Sequence, residues 1–150
     1  LVTLIRQQAR LFAEDTRANL IIIDGPPGIG CPVISACAGT DFGLIITEPS
    51  LAGLHDLERV LGTLRHFHIP SVVCINKADI YPEGARAIRE FAKAENIELL
   101  GEIPYDENLP KSMINGDPIT VSFPDSPAAL AVRELWQKVL RSLDVQEDLA

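Results

Sequence analysis

Apolar residues at Leu1, Leu4, Ile5, Leu11 and Phe12 recur at helical spacing with Arg and Gln between them, which predicts an amphipathic helix over residues 1 to about 18. The period then changes. "NLIIID" at 19–24 is a continuous apolar run of strand length, of the kind that a parallel sheet covered on both faces by helices requires. From there the two patterns alternate: "PVISACAG" reads as a short helix, "FGLIIT" as a strand, "SLAGLHDLERVLGTLRHF" as a helix and "SVVCIN" as a strand. "PEGARAIREFAKAEN" is the next helix and "ELLGEIP" the next strand.

The ends of these segments carry suitable local chemistry. Ser50 can cap the helix that follows it, and Pro82 suits the first turn of the next. Farther on, "NLPKSMING" predicts a short helix closed by Gly116, and "SPAALAVRELWQKVL" a terminal helix capped by Ser126 with Pro127 at its first position. Trp136, between Leu135 and Val139, is expected in the core. No repeat, linker or low-complexity stretch divides the chain. One α/β unit is therefore expected over 1–143, followed by a polar tail at 144–150.

Strand, helix and strand in succession imply right-handed crossovers and a parallel sheet, with ligands beyond the carboxyl ends of the strands. Four strand ends then share one rim: Asp24-Gly25-Pro26-Pro27-Gly28, Thr47-Glu48-Pro49, Asn76-Lys77-Ala78-Asp79 and Pro104-Tyr105-Asp106.

Charge narrows the choice of ligand. The formal net charge is −8, and the 13 Lys and Arg are scattered, so no basic stripe is available for nucleic acid. Three Cys (Cys31, Cys37, Cys74) without ligand spacing suit a reduced, cytoplasmic protein better than a disulfide framework or a zinc site. The apolar runs stop short of the roughly 18 residues that a transmembrane helix needs. Leu1 stands where a Met would begin a chain, so the sequence is expected to be part of a longer polypeptide.

"DGPPGIGCPV" at 24–33 has the Gly25-to-Gly30 spacing of a phosphate-binding loop, but Cys31 and Pro32 stand where Lys and Ser or Thr belong. Asp24, at the end of the apolar run, is placed to hold Mg²⁺ directly or through water, or else to cap its own turn. Gly28 and Gly30 let a backbone approach a terminal phosphate, or simply serve the turn. "NKAD" at 76–79 matches the N-K-x-D base-recognition element of GTPases, in which Asp79 accepts from guanine and Asn76 bonds a base edge. Its alternative is an ordinary turn with Asp79 as a cap. Glu48, His55 and Asp56 form a second polar group, read as a solvated helix end; His66 and His68 belong to the helix terminus.

Together, "NLIIIDGPPGIGCPV", "LIITEPSLAGLHDLERV", "VVCINKADI" and "LLGEIPYD" resemble the C-terminal part of MinD/ParA-type P-loop ATPases. The resemblance is strongest to the branch with an inserted ferredoxin domain, described as cobyrinic acid a,c-diamide synthase-like nucleotide-binding proteins. It implies a P-loop NTPase-like α/β fold and an ATPase that forms a homodimer around ATP and Mg²⁺ and acts on an iron–sulfur or metallocofactor partner. Asp24 would be the magnesium-associated acid and Gly28 the γ-phosphate-sensing glycine, both catalytic. Asn76, Asp79, Pro104 and Asp106 would border the base, with adenine favoured despite the N-K-x-D string.

The departures from that pattern are also specific. No Gly-Lys-[ST] occurs, the first strand and its phosphate loop are absent, and so are the cysteines that would hold an iron–sulfur cluster. The chain alone is accordingly expected to be inactive. Two other readings use the same residues: a non-catalytic interaction module with a degenerate site, offering its apolar helices to a partner, and a GTPase fragment reading guanine through NKAD.

Overall fold

The buried centre of the protein is the strand Ser71–Asn76, in which Val72, Val73, Cys74 and Ile75 are all buried. A strand that buries consecutive residues must be covered on both faces and paired on both edges, and here it is. In the computed structural model, which describes residues 2–25 and 30–147, it lies between two parallel neighbours, Gly43–Thr47 and Glu98–Ile103. These strands are β1 (Gly43–Thr47), β2 (Ser71–Asn76) and β3 (Glu98–Ile103), in spatial order β1-β2-β3. Register runs evenly from Gly43 opposite Ser71 to Thr47 opposite Ile75, whereas β2 and β3 slip between Val73 and Cys74.

Helices fill both sides. They are α1 (Val2–Thr16), α2 (Cys31–Cys37), α3 (Leu51–His66), α4 (Pro82–Ala94), α5 (Asn108–Asn115), α6 (Ile119–Ser122) and α7 (Pro127–Glu147). The crossovers α3 and α4 share one face, where Leu57, Leu61, Leu64, Ala85 and Ile88 pack with Ile45, Val73 and Ile75. On the other face, Leu135 and Val139 of α7 pack with Val72, Cys74 and Leu100. Such an alternation, with successive strand residues feeding opposite cores, is what the period of two dictates.

Several helix ends follow their local sequence. The Ser50 side chain accepts the Gly53 N–H at 2.9 Å at the start of α3, and Pro82 occupies the first turn of α4. Gly116 closes α5 in the left-handed conformation at φ 74°. Ser126 accepts the Ala129 N–H at 3.3 Å and α7 begins at Pro127.

Two expectations are corrected. The run "NLIIID" forms no strand: residues 20–25 carry no ladder hydrogen bonds, and Ile22 is 74% exposed. A strand needs a neighbour for its backbone groups, and β1 pairs only with β2 among the described residues. Trp136 is 39% exposed, because the core-facing stripe of α7 passes through Leu135 and Val139 and leaves it on the flank. The amphipathic helix expected at the start of the chain forms as α1, and its apolar residues Leu4, Ile5, Leu11 and Phe12 are exposed. The last helix, α7, runs to Glu147, and residues 148–150 lie outside the described residues.

Candidate functional site

Because β1, β2 and β3 are parallel, the loops that follow them meet on one rim. The first is Thr47-Glu48-Pro49. Thr47 is buried and donates its hydroxyl to the Gly53 carbonyl at 2.9 Å, and the Ser50 N–H donates to the Glu48 carbonyl at 2.8 Å. This loop lies directly on two helical glycines. A Cβ at Gly53 would come within 2.2 Å of the Glu48 carbonyl oxygen, and one at Gly84 within 2.4 Å of that of Pro49. Neither position admits a side chain without moving the loop.

Asn76 ends β2 opposite Ile103, and Lys77 then turns the chain at φ 53°, an uncommon conformation for a residue with a side chain. That turn sends the Lys77 ammonium back to the β1 loop, where Nζ meets Glu48 Oε1 at 2.6 Å. Both partners are half-exposed, so this pair contributes about 1 kcal/mol or less. Its effect is on position: it joins the first loop to the second.

Two further bonds join the second loop to the third. The Ala78 N–H donates to the Ile103 carbonyl at 3.0 Å, and the Tyr105 N–H donates to Asp79 Oδ1 at 2.7 Å. Asp106, itself buried, then fixes the third loop to two helices: Oδ1 accepts the Asn108 N–H at 2.9 Å and Oδ2 the Ala128 N–H at 3.2 Å. Backbone donors at the starts of α5 and α7 thus hold this carboxyl below the usual range, with the Asn108 bond as the main cause. Both oxygens of Asp106 are engaged in the fold.

Three of the four predicted loops therefore form one tied rim that carries Asn76, Asp79, Pro104 and Asp106. Asp24 is exposed in the unpaired stretch before it, and no hydrogen bond joins it to these loops among the described residues. Gly28 lies outside the described residues. His55 and Asp56 are exposed on α3. His66 and Phe67 pack with their rings nearly perpendicular, centroids 5.2 Å apart. The partners of Glu48 and Asp79 were not predicted, although Asp106 two residues before Asn108 has the form of an Asx turn.

These residues fit some cofactors better than others. Mg²⁺ bound through a nucleotide keeps most of its waters and needs only one or two carboxylates, a demand that Asp24 alone can meet. A resident metal cluster fits poorly. No three His, Cys, Asp or Glu converge among the described residues, and burial pushes the Cys74 thiol up to about 11, away from the thiolate that iron–sulfur ligation uses.

A parallel sheet covered by helices on both faces, with its strand-end loops gathered at the carboxyl rim, is a doubly wound type of α/β fold. Comparison with known proteins gives it a family. The ParA family, in the form described as NUBPL iron-transfer P-loop NTPase, matches residues 8–140, and the chain belongs to that family. An uncharacterised protein of Methanocaldococcus jannaschii is 31% identical over 90% of this chain and 45% of its own length. The iron-sulfur cluster carrier protein of Aquifex aeolicus is 27% identical over 83% of this chain and 38% of its own. The chain thus spans less than half the length of these curated relatives.

Among solved structures, the MinD cell division protein of Aquifex aeolicus superposes with a TM-score of 0.76 at 22% identity, over 89% of this chain and 58% of that one. MinD of Pyrococcus horikoshii, solved with Mg-ADP, gives 0.69 at 23% identity, over 84% and 53%. At this identity the likeness establishes the fold, which is P-loop NTPase-like and partial.

Proposed function

We propose that this chain supplies the base-side and switch-side part of an ATPase whose nucleotide cycle drives dimerisation and action on an iron–sulfur or metallocofactor partner. The observation that carries the reading is the tied rim: Glu48–Lys77, Asp79–Tyr105 and Ala78–Ile103 build one continuous edge at the carboxyl ends of three parallel strands. Family membership and the iron-sulfur carrier of Aquifex aeolicus support the choice of partner, and the Mg-ADP complex of a MinD relative supports the choice of nucleotide. In this reading Asn76, Asp79, Pro104 and Asp106 border the base, Asp24 associates with Mg²⁺, and Gly28 senses the terminal phosphate. Bound Mg²⁺ neutralises charge on the phosphates. The phosphate cradle itself, a run of backbone N–H groups with a Lys, comes from residues outside this sequence.

The test is turnover in two forms of the protein. The full-length protein should hydrolyse ATP with Mg²⁺, and Asp24→Ala should lower kcat by about a hundredfold or more. The 150-residue chain alone should show no turnover above buffer. ATP hydrolysis by the isolated chain that disappears in Asp24→Ala would refute the division of the site. Failure of the full-length protein to pass a cluster to an apo acceptor would remove the iron–sulfur part.

The bare apolar stripe of α1 (Leu4, Ile5, Leu11 and Phe12) favours a second reading, in which the chain is a partner-binding module without catalysis. A full-length protein that binds no nucleotide yet still captures a partner would select it.

A further inference from the structure

Resting on the nucleotide-site reading above, we infer that Asp79 is a positioning residue: it holds the 104–106 loop in place rather than reading guanine. The inference starts from the direction of one carboxylate. Asp79 Oδ1 lies 2.7 Å from the backbone nitrogen of Tyr105, 26 residues away, in a short charge-assisted hydrogen bond. Immediately beside it, the Ala78 N–H donates to the Ile103 carbonyl at 3.0 Å, so two consecutive residues of the second loop are stitched to the third.

Guanine recognition by a carboxylate uses two donors, the ring N1–H and the exocyclic 2-amino group, which lie side by side on one edge of the base. Both carboxylate oxygens must face that edge in its plane, in the fork geometry of other bidentate pairs. Here Oδ1 already accepts the Tyr105 N–H, so the direction of the carboxylate is set by the loop, and a guanine edge would have to share that oxygen with it. Adenine has no 2-amino group and carries an acceptor at N1, so it loses nothing by this arrangement.

The loop that Asp79 holds is anchored at its other end as well. Asp106 accepts the Asn108 and Ala128 N–H groups at 2.9 and 3.2 Å, so a tie precedes and follows Tyr105. A three-residue loop fixed in this way is a pre-built wall, and rigid walls lower the ordering cost of binding. Removing the Asp79 tie should loosen the wall and weaken binding of any base stacked against it.

Substitutions separate positioning from reading. Asn at this position keeps a carbonyl oxygen for the Tyr105 N–H but presents an amide N–H₂ where a guanine reader has its second acceptor. Xanthine carries a carbonyl in place of the 2-amino group, so Asp→Asn in a guanine reader transfers preference to xanthine. In the full-length protein, Asp79→Ala should speed hydrogen exchange of the Tyr105 amide by about tenfold and weaken Mg-ATP binding by a similar factor, with Asp79→Asn restoring both to within about threefold. GTP and xanthosine triphosphate should gain nothing in either variant.

A gain of xanthosine triphosphate binding in Asp79→Asn, or an unchanged Tyr105 exchange rate in a folded Asp79→Ala protein, would overturn the inference. If Asp79→Ala does not fold, the xanthosine triphosphate measurement on Asp79→Asn decides. Failure of the wild-type protein to bind any of the three nucleotides is a different result. It would remove the nucleotide reading, and this inference with it.

Discussion

At the scale of single residues, the acids of the rim act through backbone N–H groups far away in sequence. Asp79 takes its donor from a residue 26 positions on, and Asp106 one of its donors from a residue 22 positions on. Both were legible as polar residues at strand ends. Their partners were not, since no local pattern encodes which helix start will be brought to which loop. Asp106→Ala should leave two helix starts without an acceptor and lower the thermal midpoint by about 5 °C, with Asp106→Asn in between. Because the folded carboxyl sits below its ordinary pKa, its contribution is complete above the unfolded value and is lost as pH falls through the folded one. The difference in midpoint between wild type and Asp106→Asn should therefore hold steady above about pH 5 and close as the pH drops below about 4. A gap that widens in acid would exclude this origin.

At the scale of elements, glycines distinguish the helix positions that lie against the rim from those that do not. Gly84, in the first turn of α4, faces the Pro49 carbonyl oxygen so closely that a Cβ would stand 2.4 Å from it. Gly62, in α3, has nothing within 4 Å of its Cβ position. Intrinsic propensity favours Ala at both. Gly84→Ala should nonetheless destabilise by about 1–3 kcal/mol as the loop is displaced, whereas Gly62→Ala should stabilise by about 0.5–1 kcal/mol. Urea unfolding of the two variants measures both, and a stabilised Gly84→Ala would mean that the loop yields freely. Most elements could be read from the sequence, since caps such as Ser50, Pro82 and Gly116 act within a few residues. The short α6 (Ile119–Ser122) was not foreseen, because β-branched Ile119, Thr120 and Val121 lower helix propensity. Arg133 instead stabilises that turn from α7, donating to the carbonyls of Thr120 at 2.7 Å and Pro124 at 2.8 Å.

At the scale of the whole molecule, the sheet has two edge strands among the described residues, β1 and β3, each paired only with β2. Beyond β1 no strand is paired among the described residues, and on the α7 face, where Leu135 and Val139 cover Val72 and Cys74 of β2, the neighbouring Leu44 and Ile46 of β1 remain exposed, Ile46 by 51%. Edge strands with apolar side chains template association. The isolated chain should therefore gain mass with concentration in sedimentation between roughly 1 and 100 μM, and Ile46→Lys should suppress this; a monomer throughout would show the edge to be harmless. The sequence by itself determined the alternation of elements, the caps and the set of acids at the strand ends, because these depend on interactions within a few residues. Only the tertiary structure decided that "NLIIID" stays unpaired, that Trp136 lies outside the core and that Asp79 and Asp106 accept backbone N–H groups distant in sequence. Backbone pairing and side-chain direction depend on which distant segment arrives alongside, and that is a property of the assembled sheet.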